Sequence, residues 1–74
     1  MTRELLESLV RIKNLNEFAA FRKYLEEEKA YDMAIMAGTN DDRVMHLAQG
    51  AYRRITMLIE AIEAAPKLLE KDRR

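Results

Sequence analysis

Between residues 44 and 69 the apolar side chains keep one spacing without a break. Val44, Ala48, Ala51, Ile55, Leu58, Ile62, Ala65 and Leu69 step by 4, 3, 4, 3, 4, 3 and 4. Apolar residues recurring every 3.5 positions lie along one side of an α-helix and form a coiled-coil seam, whereas a half-buried strand alternates at every second residue. Met45, Tyr52 and Ile59 flank this seam on one side, and Leu47 and Leu68 flank it on the other. The apolar arc is therefore wider than a two-stranded seam requires, and the helix is expected to touch more than one partner. Pro66 lacks a backbone donor, so the helix, expected over about 41–65, should kink or end near Ala64. Residues 66–74 are then expected as a frayed basic turn, with Lys67, Lys71, Arg73 and Arg74 against Glu70 and Asp72.

The rest of the chain is helical by the same reasoning. Ala, Leu, Met, Glu, Gln, Lys and Arg make up 47 of the 74 residues. These side chains lose little rotamer freedom on a helix. Two Gly and one Pro supply too few turns for a many-stranded sheet. The spacing predicts a short helix over about 3–13 with Thr2 as its cap, and a second over about 17–37 with Asn16 as its cap. Gly38 is expected in the left-handed region, ending the second helix. Thr39 or Asn40 then caps the third, and a link this short allows only a tight antiparallel hairpin. The expected fold is all-α, with residues 1–74 forming one domain. A short N-terminal helix joins a long antiparallel αα-hairpin in a small three-helix arrangement, completed by oligomerisation.

Folding the hairpin about residues 39–40 sets Ile35 against Val44, Tyr31 against Ala48, Glu28 against Ala51, Tyr24 and Leu25 against Ile55, Phe21 against Leu58, and Phe18 against Ile62. Ile55 and Leu58 are then core residues. The first helix folds back over the open end, where Leu5, Leu6 and Leu9 reach Ile62, Leu68 and Leu69. The turn-proximal part of the third helix stays open, so an interface is expected at Met45, Leu47, Gly50, Tyr52 and Ile59. Gly50, in mid-helix, fits a place where another backbone approaches closely. Glu28 falls inside the apolar face of the second helix and is expected to pair with Arg54 as a polar register device.

The chemistry-bearing residues are few. With no Cys, a disulfide scaffold, a thiol nucleophile and thiolate metal sites are excluded. His46 and Asp42 share one helix face, but a metal site needs three or four ligands. Ser8 has no base near it in sequence, and no phosphate loop, dinucleotide fingerprint or triad is present. The sequence is therefore read as non-enzymatic, with no catalytic residue, cofactor or metal. Arg43, Arg53, Arg54 and the basic tail are a modest nucleic-acid signal, weakened by a formal net charge of zero and by the lack of interleaved aromatics. No apolar run approaches the roughly 20 residues of a membrane span, and no signal-peptide pattern opens the chain, so a cytoplasmic protein is expected.

The segment Phe18 to Leu25 reads F-x-x-F-x-x-Y-L. After a short Asp-containing turn come A-Q-G-A at Ala48 to Ala51 and L-I-E-A-I-E-A-A at Leu58 to Ala65. Over roughly residues 17–70 this arrangement resembles small helical-hairpin accessory proteins encoded by tailed bacteriophages. The resemblance implies a viral accessory protein of virion assembly or host takeover, placed in the host cytoplasm or the virion, and carries over no catalytic residue. The leading expectation is thus a helical protein–protein interaction module, bound to itself as a homo-oligomer or to a larger protein. The alternatives are a phage-type inhibitor of a host enzyme and a weak nucleic-acid-binding protein using Arg53, Arg54 and the basic C-terminus.

Overall fold

The structure, a computed structural model, describes residues 1–72. It comprises three helices, α1 (Arg3–Lys13), α2 (Phe18–Gly38) and α3 (Asp42–Asp72), with no strand among the described residues. The all-α hairpin with a short N-terminal helix is therefore the architecture observed.

The capping chemistry follows the sequence in part. The Thr2 hydroxyl accepts from the Leu5 backbone N–H at 3.1 Å and opens α1, with Glu4 in its first turn. Asn16 does not cap α2. Glu17 stands at that position without a side-chain cap bond, and the Phe18 N–H donates to the Leu15 carbonyl in the preceding turn. At the hairpin, Asp41 caps α3, its Oδ1 accepting from Arg43 N–H at 2.9 Å and from Val44 N–H at 3.4 Å. Thr39 instead braces the turn by accepting from Asp41 N–H at 3.1 Å. Gly38 is not left-handed, because no glycine among the described residues has positive φ. The chain leaves α2 through an extended Thr39, whose N–H donates to the Ile35 carbonyl at 3.0 Å.

Pro66 does not end α3, which continues to Asp72. The last turns are held by α1: Leu6, Ala65 and Leu69 form one buried cluster, with Leu9 and Val10 packed on it, and Ala65 is 0% exposed. This tertiary contact outweighs the one backbone bond a proline removes. Arg73 and Arg74, at the end of the expected basic tail, lie outside the described residues.

The ion pairs show how the elements are ordered. Arg3 reaches Asp72 at 3.9 Å, Lys13 reaches Glu63 at 3.4 Å, and Arg22 pairs with the same Glu63. Further along, Lys29 lies over Tyr52. Read along α3 from its C-terminus, the contacts run through α1 and then α2, so both helices are antiparallel to α3 and follow one another along it. The turn at Asn14–Glu17 breaks what is otherwise one long arm. Helices α1 and α2 each pack on α3, with almost no contact between them. The molecule measures 49 × 24 × 14 Å. Its depth is about one helix diameter, so the fold is a single layer of helices with two broad faces.

Candidate interaction face

The side of α3 that meets α2 is rotated from the expected seam. Ala48, Ile59 and Ile62 are buried, and Met45, Tyr52 and Ile55 are half-buried between them. These residues step by 3, 4, 3, 4 and 3 from Met45 to Ile62. They share positions 48, 55 and 62 with the expected seam but replace Val44, Ala51 and Leu58 by their successors. Leu58 is 42% exposed, against 7% for Ile59. On α2 the buried residues are Phe18, Leu25 and Asp32, while Phe21, Tyr24 and Tyr31 are exposed. The expected pairs that use Phe21, Tyr24, Tyr31, Val44, Ala51 and Leu58 are therefore incorrect, because these residues are exposed, whereas Phe18, Leu25, Ile55 and Ile62 keep the inward positions expected of them. Both rotations bury an apolar heptad on α3. The observed one also brings Glu63 to Lys13 and Arg22, and Tyr52 to Lys29.

This rotation sorts the two faces by chemistry. One face carries the groove between α2 and α3, lined by Arg22, Glu26, Lys29, Thr56, Glu60 and Glu63. This stretch is polar and internally paired, with Glu63 joining all three helices through Lys13 and Arg22, while nearer the hairpin Met36 and Met57 line the same side beside Tyr52. The Thr56 hydroxyl is buried under it without a hydrogen-bond partner. The opposite face is apolar. At 100° per residue, Phe21, Tyr24, Glu28, Tyr31 and Ile35 fall on one flank of α2. Val44, Leu47, Ala51, Arg54 and Leu58 fall on the matching flank of α3. Tyr31 is 65% and Leu47 70% exposed, and Phe21, Tyr24, Val44 and Leu58 are exposed beside them. Leu5 and Ile12 continue the exposed strip on α1.

The five residues expected to form an interface do not share a surface. Ile59 is buried beneath α2, and Met45 and Tyr52 are half-buried on the same side. Leu47 lies on the opposite, apolar face. Gly50 is exposed at the back of α3, and nothing comes within 4 Å of where its Cβ would stand, so within the chain no backbone approaches it. Glu28 and Arg54 do not pair: the ion pairs of the described residues include neither. Sequence reasoning passed over two other polar residues. Asp32 is 8% exposed, with no hydrogen bond or ion pair to its carboxyl group. Its signal was the seven-residue step from Phe18 through Leu25. Glu63 bridges the three helices, which only the rotated register reveals.

The remaining candidates are dispersed. His46 and Asp42 are exposed near the turn, and among the described residues no three His, Cys, Asp or Glu side chains group to hold a metal. The Ser8 hydroxyl donates to the Glu4 carbonyl at 3.0 Å and accepts from Arg11 at 3.2 Å. Arg53 reaches the groove with Met36, Tyr52 and Thr56, and Arg53 and Arg54 together line a recess with Gly50 and Met57 at the back of α3. No described helix is long and apolar enough to cross a membrane. The class this geometry defines is a one-layer helical hairpin with a broken arm. No protein-family model, curated protein or solved structure matches the chain.

Proposed function

We propose that this chain is a non-enzymatic helical interaction module whose working part is the apolar face. One observation carries the reading: a layer 14 Å deep, polar and internally paired on one side, exposes Phe21, Tyr24, Tyr31, Val44, Leu47 and Leu58 on the other. Helical domains reach stability by covering such a side with a second layer, and extended apolar patches on proteins mark interaction surfaces. The partner is a second copy of the chain or a larger protein. The resemblance of residues 18–25, 48–51 and 58–65 to phage hairpin proteins is the support for reading the module as an accessory structural or assembly protein, in the host cytoplasm or the virion. The same face docked as a monomer on a host enzyme is the second reading. A formal net charge of zero makes nucleic-acid binding the weakest of the three.

Sedimentation from low to high micromolar concentration, with binding of an apolar fluorescent dye, tests the proposal. The expected result is a mass above one chain. A monomer whose dye binding is abolished by Tyr31→Glu also supports it. A monomer that binds no dye overturns it.

A further inference from the structure

The apolar face is flat, broad and carries few charges. Its α2 half carries Glu28, with Glu17 toward the α1 end, and its α3 half carries Arg54, with Arg43 near the turn; none of the four has an ion-pair partner inside the chain. Glu28 is nevertheless half-buried among Tyr24, Tyr31 and Ile35 on that flank. Lys29 lies over Tyr52, so in antiparallel helices Glu28 is level with Arg53 and Arg54. A twofold axis parallel to the helices preserves that level. It lays α2 of one copy on α3 of the other, acid over base, and keeps every neighbouring pair antiparallel, as in stable four-helix arrangements. A twofold axis across the helices instead stacks α2 on α2 and α3 on α3, which sets Glu28 on Glu28 and Arg54 on Arg54 where it crosses at their level and leaves both without an opposite charge elsewhere.

Resting on the interaction-module reading, we propose that a second copy of this chain closes the apolar face, with α2 of each copy on α3 of the other and Glu28 of one copy paired with Arg54 of its partner. In this arrangement Tyr31 meets Leu47 and Ala51 of the other copy, and Phe21 meets Leu58, so large side chains on α2 enter the spaces beside smaller ones on α3. A face of 49 by 24 Å is large enough for the roughly 800 Å² per partner that a specific interface buries. A bilayer fits less well, because the polar face mixes Glu26, Glu60 and Glu63 with Arg22, Lys29 and Lys67 rather than presenting a basic surface.

The chain contains no cysteine, so cross-linking can be read without background. Two chains of different tag length, one with Glu28→Cys and one with Arg54→Cys, are mixed and treated with a short bis-maleimide. The expected product joins the two different chains, with little product from either variant alone and none from Glu60→Cys on the polar face. In parallel, Glu28→Arg or Arg54→Glu should each weaken self-association about tenfold, and the double exchange in one chain should restore it. Preferential linking of Glu28→Cys chains to each other overturns this arrangement while leaving the interaction-module reading intact. So does a monomer at high micromolar concentration that binds the apolar dye, or one that binds phospholipid vesicles instead of itself. A dye-negative monomer defeats both.

Discussion

Lys29 holds its ammonium group 5.2 Å from the centre of the Tyr52 ring, tying the middle of α2 to the middle of α3. A cation over a ring face contributes about 0.5–1 kcal/mol where both groups keep some water. A double-mutant cycle with Lys29→Met and Tyr52→Leu is expected to give a coupling of that size. Zero coupling in urea unfolding would mean that the helices meet at a different level.

The rotated seam predicts unequal costs at neighbouring positions. Ile59→Ala and Ile62→Ala remove buried side chains and should each cost about 2–5 kcal/mol. Leu58→Ala, on the open face, should cost less than about 1 kcal/mol at concentrations where the chain is a single copy. Denaturant midpoints of the three variants at low micromolar protein decide this. A larger loss at Leu58 than at Ile59 would restore the simple heptad.

Asp32 occupies an inward position of α2 without a partner. Its carboxylate oxygens keep contact with water while the rest of the side chain is covered, and an apolar residue would use such an inward position more fully. Asp32→Leu is expected to raise stability by about 1 kcal/mol or more, measured by thermal unfolding. A loss would show that packing around Asp32 cannot accept the larger side chain.

Gly50 sits in the middle of α3, and a Cβ there meets nothing within 4 Å. Gly50→Ala should therefore stabilise the helix by about 1 kcal/mol, raising Tm by about 4–8 °C in a domain this small. Gly38→Ala should also be tolerated, since its backbone is not left-handed and its surroundings are open. A fall in Tm for either variant would reveal a close neighbour.

Glu63 is about one-third exposed, as is Lys13, and Arg22 more so. Water and salt screen pairs of this kind, and each contributes about 0–1 kcal/mol. Glu63→Gln should lower stability modestly, and the difference should shrink in molar salt. A difference unchanged by salt would assign the loss to packing.

Helix number, approximate boundaries and antiparallel direction were legible in the sequence because they depend on local signals: helix formers, the Thr2 cap and the short 39–41 link. The face each helix turns inward was not. Val44, Ala51 and Leu58 continue the heptad through Ile55 as regularly as Met45, Tyr52 and Ile59 do, so periodicity alone leaves two rotations about 50° apart. What distinguishes them is non-local: Glu63 meeting Arg22 and Lys13, and Tyr52 meeting Lys29. The proline was misread for the same reason, since Leu6 holds the helix past Pro66 from a distant part of the chain. Glu28 was correctly singled out as a polar residue within an apolar flank, but that flank faces outward.

Because α1 packs on α3 with almost no contact to α2, the layer has two regions that share only a helix. The end built by Leu6, Leu9, Val10, Ala65 and Leu69 can open without disturbing the hairpin around Leu25, Ala48 and Ile59. Amide protons of α1 and of residues 66–72 should therefore exchange as one group, ahead of those in α2 and the first half of α3. The turn at Asn14–Glu17 is the hinge of that opening, and the proline near its far side leaves one fewer backbone bond to break there.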